Sequence, residues 1–489
     1  MIATLLTGAT IVDGTGRRRY STDVGIVDDR IALIGDLQHR DAVRRIDCRG
    51  RVLAPGFLDA CSHTDAGLLV DALSPSKLAQ GVTTEIAGNC GVSRLCNWDE
   101  WANADGFLRL LERQHIGPNG ATFVGLTDAL RTDDATAAIR EACESGAIGV
   151  SIDMRTASLT DAFDAMRAAR SGGAARASIH LRDESHNIAS ALGEAIDCAR
   201  RADVILHVSH LRIEGSAHAG GAERVLEQID RARTSGAAIT CDLYPYVTTS
   251  IELASLLPAS LRARSDWREI LADPETAAAV AMEMHARLGE SLWHDVMLAE
   301  VGSERHLPWC GMRFDAIGRA ARLSPPRAII ELLRDEGTAA RAFFFTLHEA
   351  DIETFLSADF LAIGSNAAAE PLSGATFGNP HPRAFGTFAR VIGRFVRGRN
   401  ALSLEEAVRR MTSLPASIFG IERRGEIAEG NHADLLLFDE ATFVDTATYE
   451  RAVSLPRGVE RVWVNGVGVL EGGSFTKRRP GSVLRRGLP

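Results

Sequence analysis

Apolar and polar residues alternate in short runs at both ends of the chain. TLLTGATIVDG is followed by DVGIVDDRIALIGDL, where Asp28-Asp29 separates two alternating runs and predicts a hairpin. Near the other end, GEIAEGNHADLLLFD and VERVWVNGVGVLEGG repeat the style, with Asn465-Gly466 as the predicted turn. The two ends therefore read as halves of one small β-domain, a β-sandwich built from residues 1–55 and 415–489.

Between them the pattern changes. Apolar runs ending in PGFLDACSH, TTEIAGNC, ATFVGL, IGVSID, ASIHLRDE, VILHVSH, AITCDLY and FLAIGSN alternate with helical patterns such as ATAAIREACESG and IASALGEAIDCARRA. Strand–helix alternation repeated about eight times predicts an α/β fold, a distorted TIM (β/α)8 barrel over residues 56–414. The stretch from Tyr244 to about Ala358 is too long for a loop and reads as an inserted subdomain, about 250–355.

Composition narrows the function. With 489 residues, 45% of them hydrophobic, the chain can bury a large core in more than one domain. No apolar run approaches the roughly 20 residues of a membrane helix, and the N-terminus lacks a signal-peptide pattern. A cytoplasmic protein without a membrane partner is expected. A net charge of −10 argues against nucleic acid as the main partner. The eight cysteines are scattered, which does not suggest a disulfide framework. Lysine is nearly absent, with only Lys77 and Lys477 present.

In such barrels the active site collects at the C-terminal ends of the strands. Strand one ends in Cys61-Ser62-His63-Thr64-Asp65, strand two in Asn89-Cys90-Gly91, strand five in His180, strand six in His210 and strand eight in Asn366. Cys90, His180 and His210 make a candidate zinc site, because Zn²⁺ accepts thiolate and imidazole and a catalytic site keeps a position open for water. Gly88 and Gly91 would let the backbone turn tightly beside Cys90.

At these residues the chain resembles the D-aminoacylases, or N-acyl-D-amino-acid deacylases, of the amidohydrolase superfamily. The motifs that carry the resemblance are APGFLDACSHTD, GVTTEIAGNCG, HLRDE, VSHLRIEG, DLYPY, AIGSN, HPRAFGTFARVIGRFVR and GEIAEGNHADLLLFD with VWVNG. The resemblance implies a tightly bound Zn²⁺ on Cys90, His180 and His210, and Arg383 pairing with a carboxylate of a small-molecule substrate. Tyr244 and Tyr246 would line the pocket, with Tyr246 a donor to the polarised carbonyl. The superfamily often uses a carbamylated lysine between two metals, but neither lysine here ends a predicted barrel strand.

The chain departs from the family at four positions. Cys61 stands where the strand-one His-x-His motif has its first histidine, so a second, weaker site of Cys61, His63 and Cys90 is conceivable. Asn366 replaces the aspartate that serves as general base and acid, and an amide can only orient water or substrate. Thr127 takes a usual histidine position, and Arg212 replaces a lysine, which places Arg212 among the substrate-facing residues. Asp65, Glu184 and Glu370 are the rim acids that could replace the missing base.

Three readings follow. The first is a zinc amidohydrolase that cleaves an amide C–N bond through a metal-activated water. The second is a zinc enzyme of non-hydrolytic chemistry, such as cyclisation, elimination or isomerisation, which Asn366 would suit. The third is a catalytically impaired binding protein.

Overall fold

The computed structural model describes residues 1–65, 67–96, 101, 103–372 and 377–487. Strand Ile2–Ile11 pairs antiparallel with Tyr20–Val27, which returns as Arg30–Gly35 through the turn at Asp28. Strand Leu435–Phe438 pairs antiparallel with Val52–Pro55, joining the two ends of the chain in one nine-stranded sheet. Val464 and Val467 face each other across the Asn465-Gly466 turn, and both turn residues have positive φ, as a tight hairpin requires. Leu6, Val24, Ile31, Leu53, Leu435 and Trp463 fill the core of this unit.

The barrel is made of two arcs of parallel strands. One runs Phe57–Asp59, Val82–Ala87, Asn119–Thr122. The other runs Val124–Gly125, Val150–Asp153, Arg176–His180, Ile205–Val208, Ile239–Leu243, Leu361–Ile363. The third barrel strand is interrupted at Phe123 and belongs to both arcs, giving eight strands in all. The first and eighth meet where Ala60 N–H donates to the Ile363 carbonyl (3.2 Å) and Asn366 N–H to the Cys61 carbonyl (2.8 Å). At the opposite end, Phe419 and Ile418 pack with Ala60, Ile86, Phe123 and Ala362. Helix Ser413–Phe419 therefore belongs with the barrel, and the boundary expected at 414/415 falls inside it. Residues 481–486 also return to the barrel, where Val483 bridges Gly120.

The insertion between the seventh and eighth strands has its own antiparallel sheet of Thr249–Glu252, Arg341–Phe344 and Val296–Val301. Its core includes Trp267, Trp293, Phe314 and Leu332. Strand Phe377–Gly378, from beyond the eighth barrel strand, joins its edge. No helix among the described residues is long and apolar enough to cross a membrane.

Candidate active site

Cys90 follows the second barrel strand in a loop whose shape is fixed by crowding. A Cβ on Gly88 would lie 2.3 Å from the Phe123 carbonyl oxygen, and one on Gly91 would lie 2.9 Å from the Asp153 amide nitrogen. Both positions have positive φ, and Cys90 between them has φ 53°. Asn89 locks the turn: its amide donates to the Ile86 carbonyl (2.8 Å) and accepts from Ser178 Oγ (2.8 Å). His210 (φ 39°) and Asn366 (φ 49°) share the left-handed conformation. Such backbone costs about 1–3 kcal/mol and is held only where surroundings impose it. For His210, Asp242 helps impose it by accepting from the backbone N–H at 3.1 Å.

These loops bring Cys90, His180 and His210 together, with one ligand-type atom of each within 4.8 Å of the others. Cys90 Sγ lies 3.2 Å from His210 Nε2. On its other side, His210 Nδ1 is 3.2 Å from Glu184 Oε1, and Glu184 Oε2 is 3.5 Å from His180 Nε2. Burial holds both imidazoles well below the usual histidine range, hence neutral, and pushes the Cys90 thiol up to about 12. Both ring nitrogens of His180 are buried without a hydrogen-bond partner. Unpaired buried polar atoms are costly unless something binds them. Neutral imidazoles beside a thiol that a cation would deprotonate form a donor set suited to zinc. Glu184 supplies the carboxylate contact that orients a ligating histidine.

The other expected residues divide. His63 Nε2 is 2.8 Å from Asn366 Oδ1 and 3.9 Å from Cys90 Sγ, so it lies at the edge of the cluster. Burial lowers its pKa to about 4. Cys61 is fully buried, with Sγ 4.0 Å from Asn366 Oδ1, and lies outside the three-residue cluster. Its thiol is held well above the usual range by burial and by Asp242. Lys77 is also fully buried, and Nζ donates to Asp59 (2.6 Å), Ser365 Oγ (2.7 Å) and the Ala367 carbonyl (2.8 Å). It braces the seam between strands one and eight.

Asp65 Oδ2 accepts from the Arg94 backbone N–H (2.9 Å), a contact that ties down the loop after Cys90. The Tyr246 hydroxyl donates to the Pro382 carbonyl (3.4 Å), and the Arg390 guanidinium lies 4.6 Å from its ring centroid. These contacts turn that hydroxyl toward helix Arg383–Arg390, a different placement from the substrate donor expected from the sequence. Tyr244 stands between two arginines: Arg212 Nη1 donates to its hydroxyl at 3.3 Å, and the Arg383 guanidinium is 4.9 Å from its ring centroid.

Arg212 is occupied. It pairs with Glu184 (2.5 Å) and Glu214 (3.0 Å). Arg383 differs: burial pulls its pKa down, and its Nε is buried without a hydrogen-bond partner. Its backbone N–H donates to His381 Nδ1 (3.0 Å), whose Nε2 meets Thr248 Oγ1 at 2.6 Å. The sequence marks Glu184 only as one of the rim acids and leaves Glu214, Asp242 and His381 unmarked as site residues. For Glu184 the available signal was its position four residues after His180.

A parallel barrel with a buried cysteine–histidine cluster at the C-terminal ends of its strands defines a metal-dependent hydrolase of the amidohydrolase type. An amidohydrolase family model matches residues 373–470. The chain is 31% identical to N-acyl-D-aspartate deacylase of Alcaligenes xylosoxydans xylosoxydans, over 99% of this chain and 95% of that protein. It is 32% identical to D-aminoacylase of the same organism, over 99% and 97%. A crystal structure of N-acyl-D-glutamate deacylase from Bordetella bronchiseptica, complexed with zinc and a phosphonate inhibitor, superimposes with a TM-score of 0.81 at 27% identity, covering 99% of each chain. The chain belongs to the D-aminoacylase family, the N-acyl-D-amino-acid deacylases of the amidohydrolase superfamily. Its reaction class is therefore metal-dependent hydrolysis of an amide C–N bond.

Proposed function

We propose that this protein removes the acyl group from an N-acyl-D-amino acid, with Cys90, His180 and His210 holding one tightly bound zinc ion and Arg383 binding the substrate α-carboxylate. The observation that carries this reading is a pair of unmet buried demands. His180 has two unpartnered ring nitrogens, and Arg383 has an unpartnered guanidinium nitrogen. A cation takes one of the two imidazole nitrogens, and a carboxylate answers the guanidinium. A guanidinium fork binds a carboxylate through two parallel hydrogen bonds, which fixes substrate orientation as well as supplying affinity.

Zinc, when bound, supplies a Lewis acid for the amide carbonyl and acidifies water to a pKa of about 7. The protein's own groups orient. Glu184 fixes the His210 ring, and Tyr244 supports the Arg383 guanidinium through its ring face. Asn366 Oδ1 accepts from His63 Nε2, leaving the amide Nδ2 as its hydrogen-bond donor.

The test is metal analysis of the purified protein together with amine release from N-acetyl-D-amino acids. About one zinc per chain and turnover of at least one substrate are expected. Arg383→Lys should lower kcat/KM about 10- to 100-fold, mostly through KM, because the second hydrogen bond of the fork is lost. Folded protein that neither holds zinc nor releases amine would overturn the reading.

A further inference from the structure

Building on that deacylase reading, we infer that the site selects substrates with a single carboxylate, so that the amino-acid side chain is uncharged and N-acyl-aspartate and N-acyl-glutamate are excluded. A second substrate carboxylate buried in this pocket needs a second available cation, since an unpaired buried charge is strongly unfavourable.

Three arginines face the cluster, and two are already spent. Arg155 makes a two-pronged pair with Asp153, with Nε–Oδ1 at 2.9 Å and Nη2–Oδ2 at 2.7 Å. Arg212 is held by two carboxylates at once, Glu184 and Glu214, and its Nη1 lies 3.3 Å from both His210 Nδ1 and the Tyr244 hydroxyl. That trio carries one net negative charge, so it repels a further anion. Arg383 is left, with an unpartnered Nε, and the α-carboxylate takes it.

Farther out, Lys77 is held by Asp59, and Arg341, opposite Glu300 in the sheet of the insertion, donates Nη2 to the Ser250 carbonyl (3.2 Å). Residues 66, 97–100, 102, 373–376 and 488–489 contain no arginine or lysine, so they add no cation to the count. The family members matched above are named for aspartate, for glutamate and for D-amino acids generally. The charge pattern places this chain with a side chain that brings no second charge.

The experiment compares kcat/KM of the zinc-loaded protein for N-acetyl-D-leucine and N-acetyl-D-methionine with that for N-acetyl-D-aspartate and N-acetyl-D-glutamate. A preference of about 100-fold or more for the first pair is expected, because a site that leaves a buried group unpaired discriminates strongly. Equal or better turnover of the dicarboxylates overturns the inference. Glu214→Gln, which cancels the negative charge of the trio, should raise the acidic-to-neutral ratio about tenfold. An unchanged ratio in a variant that still binds zinc also overturns it. Calorimetric binding of N-acetyl-D-leucine and N-acetyl-D-aspartate separates this inference from the activity itself. If neither class turns over, the deacylase reading fails, while tighter binding of the monocarboxylate still upholds the selectivity and equal binding removes it.

Discussion

Asn366 sits in left-handed backbone, a conformation that asparagine and aspartate tolerate better than most residues. Its Oδ1 takes the proton-bearing edge of His63 at 2.8 Å. Exchanging the amide for a carboxylate would keep that contact and add a group able to accept and return a proton. Asn366→Asp is therefore expected to raise kcat about 100-fold or more, the low end of the 10²- to 10⁴-fold that a general base typically contributes. Steady-state kinetics near pH 8 on the best N-acetyl substrate would measure it. An unchanged kcat would show that another group already moves the proton. Much of this rim was legible from the sequence, because residues at strand ends are fixed by a period of two and by the glycines that follow. What was not legible is the partner of each side chain. Asp65 holds the Arg94 amide and Tyr246 the Pro382 carbonyl, and both contacts come from loops whose approach no periodic pattern encodes.

At the scale of elements, the eight barrel strands were readable because each is a short apolar run and most are followed by a helical pattern. The break at Phe123 and the plug formed by helix Ser413–Phe419 were not, since both depend on how the ring closes. Helix packing around the barrel relies partly on ion pairs between elements. Glu349 opens helix Glu349–Phe355 and meets both Arg394 and Arg399, the latter at 2.6 Å. The Arg394 hydrogen bond, ahead of the Arg399 contact, lowers the Glu349 pKa to about 2. A carboxyl depressed by folding stabilises the folded state above its unfolded pKa of about 4.3 and loses that contribution as pH falls through the folded value. Both arginines are roughly half exposed, so solvent screening limits the pair to about 1 kcal/mol. Glu349→Gln should therefore be less stable than the parent protein near pH 7, with the difference shrinking between about pH 4 and pH 2. Denaturant unfolding across that range would show it, and a gap independent of pH would exclude the ion pair as its cause.

Across the whole molecule, the barrel and the terminal β-domain are clamped by one buried polar hub. Asn465 was readable as a hairpin residue, yet its side chain does a second job. Its Nδ2 donates to Asn119 Oδ1 on the third barrel strand (2.9 Å) and to the Pro480 carbonyl (2.8 Å). Asn119 Nδ2 donates to Asp434 Oδ2 (3.1 Å), and Asp434 Oδ1 accepts from the Asn465 backbone N–H (2.7 Å). Asp434 also pairs with Arg424, and both side chains are only 4% exposed. The Asn119 carbonyl oxygen of the side chain further accepts from Ser482 N–H (3.0 Å), bringing in the chain's last stretch. The hub thus joins Asn119 to residues more than 300 positions further along the chain, a placement that only the assembled fold defines. Removing one charge leaves the other buried and unpaired, which costs about 3–5 kcal/mol. Asp434→Asn keeps the shape and most hydrogen bonds but leaves Arg424 without its counter-ion. It should lower the guanidinium midpoint by that equivalent, followed by fluorescence of the buried Trp463, while zinc content of the folded protein stays at the parental level because the metal cluster lies at the strands' other end. A loss under about 1 kcal/mol would mean that water reaches Arg424 and that the clamp rests on the asparagines instead.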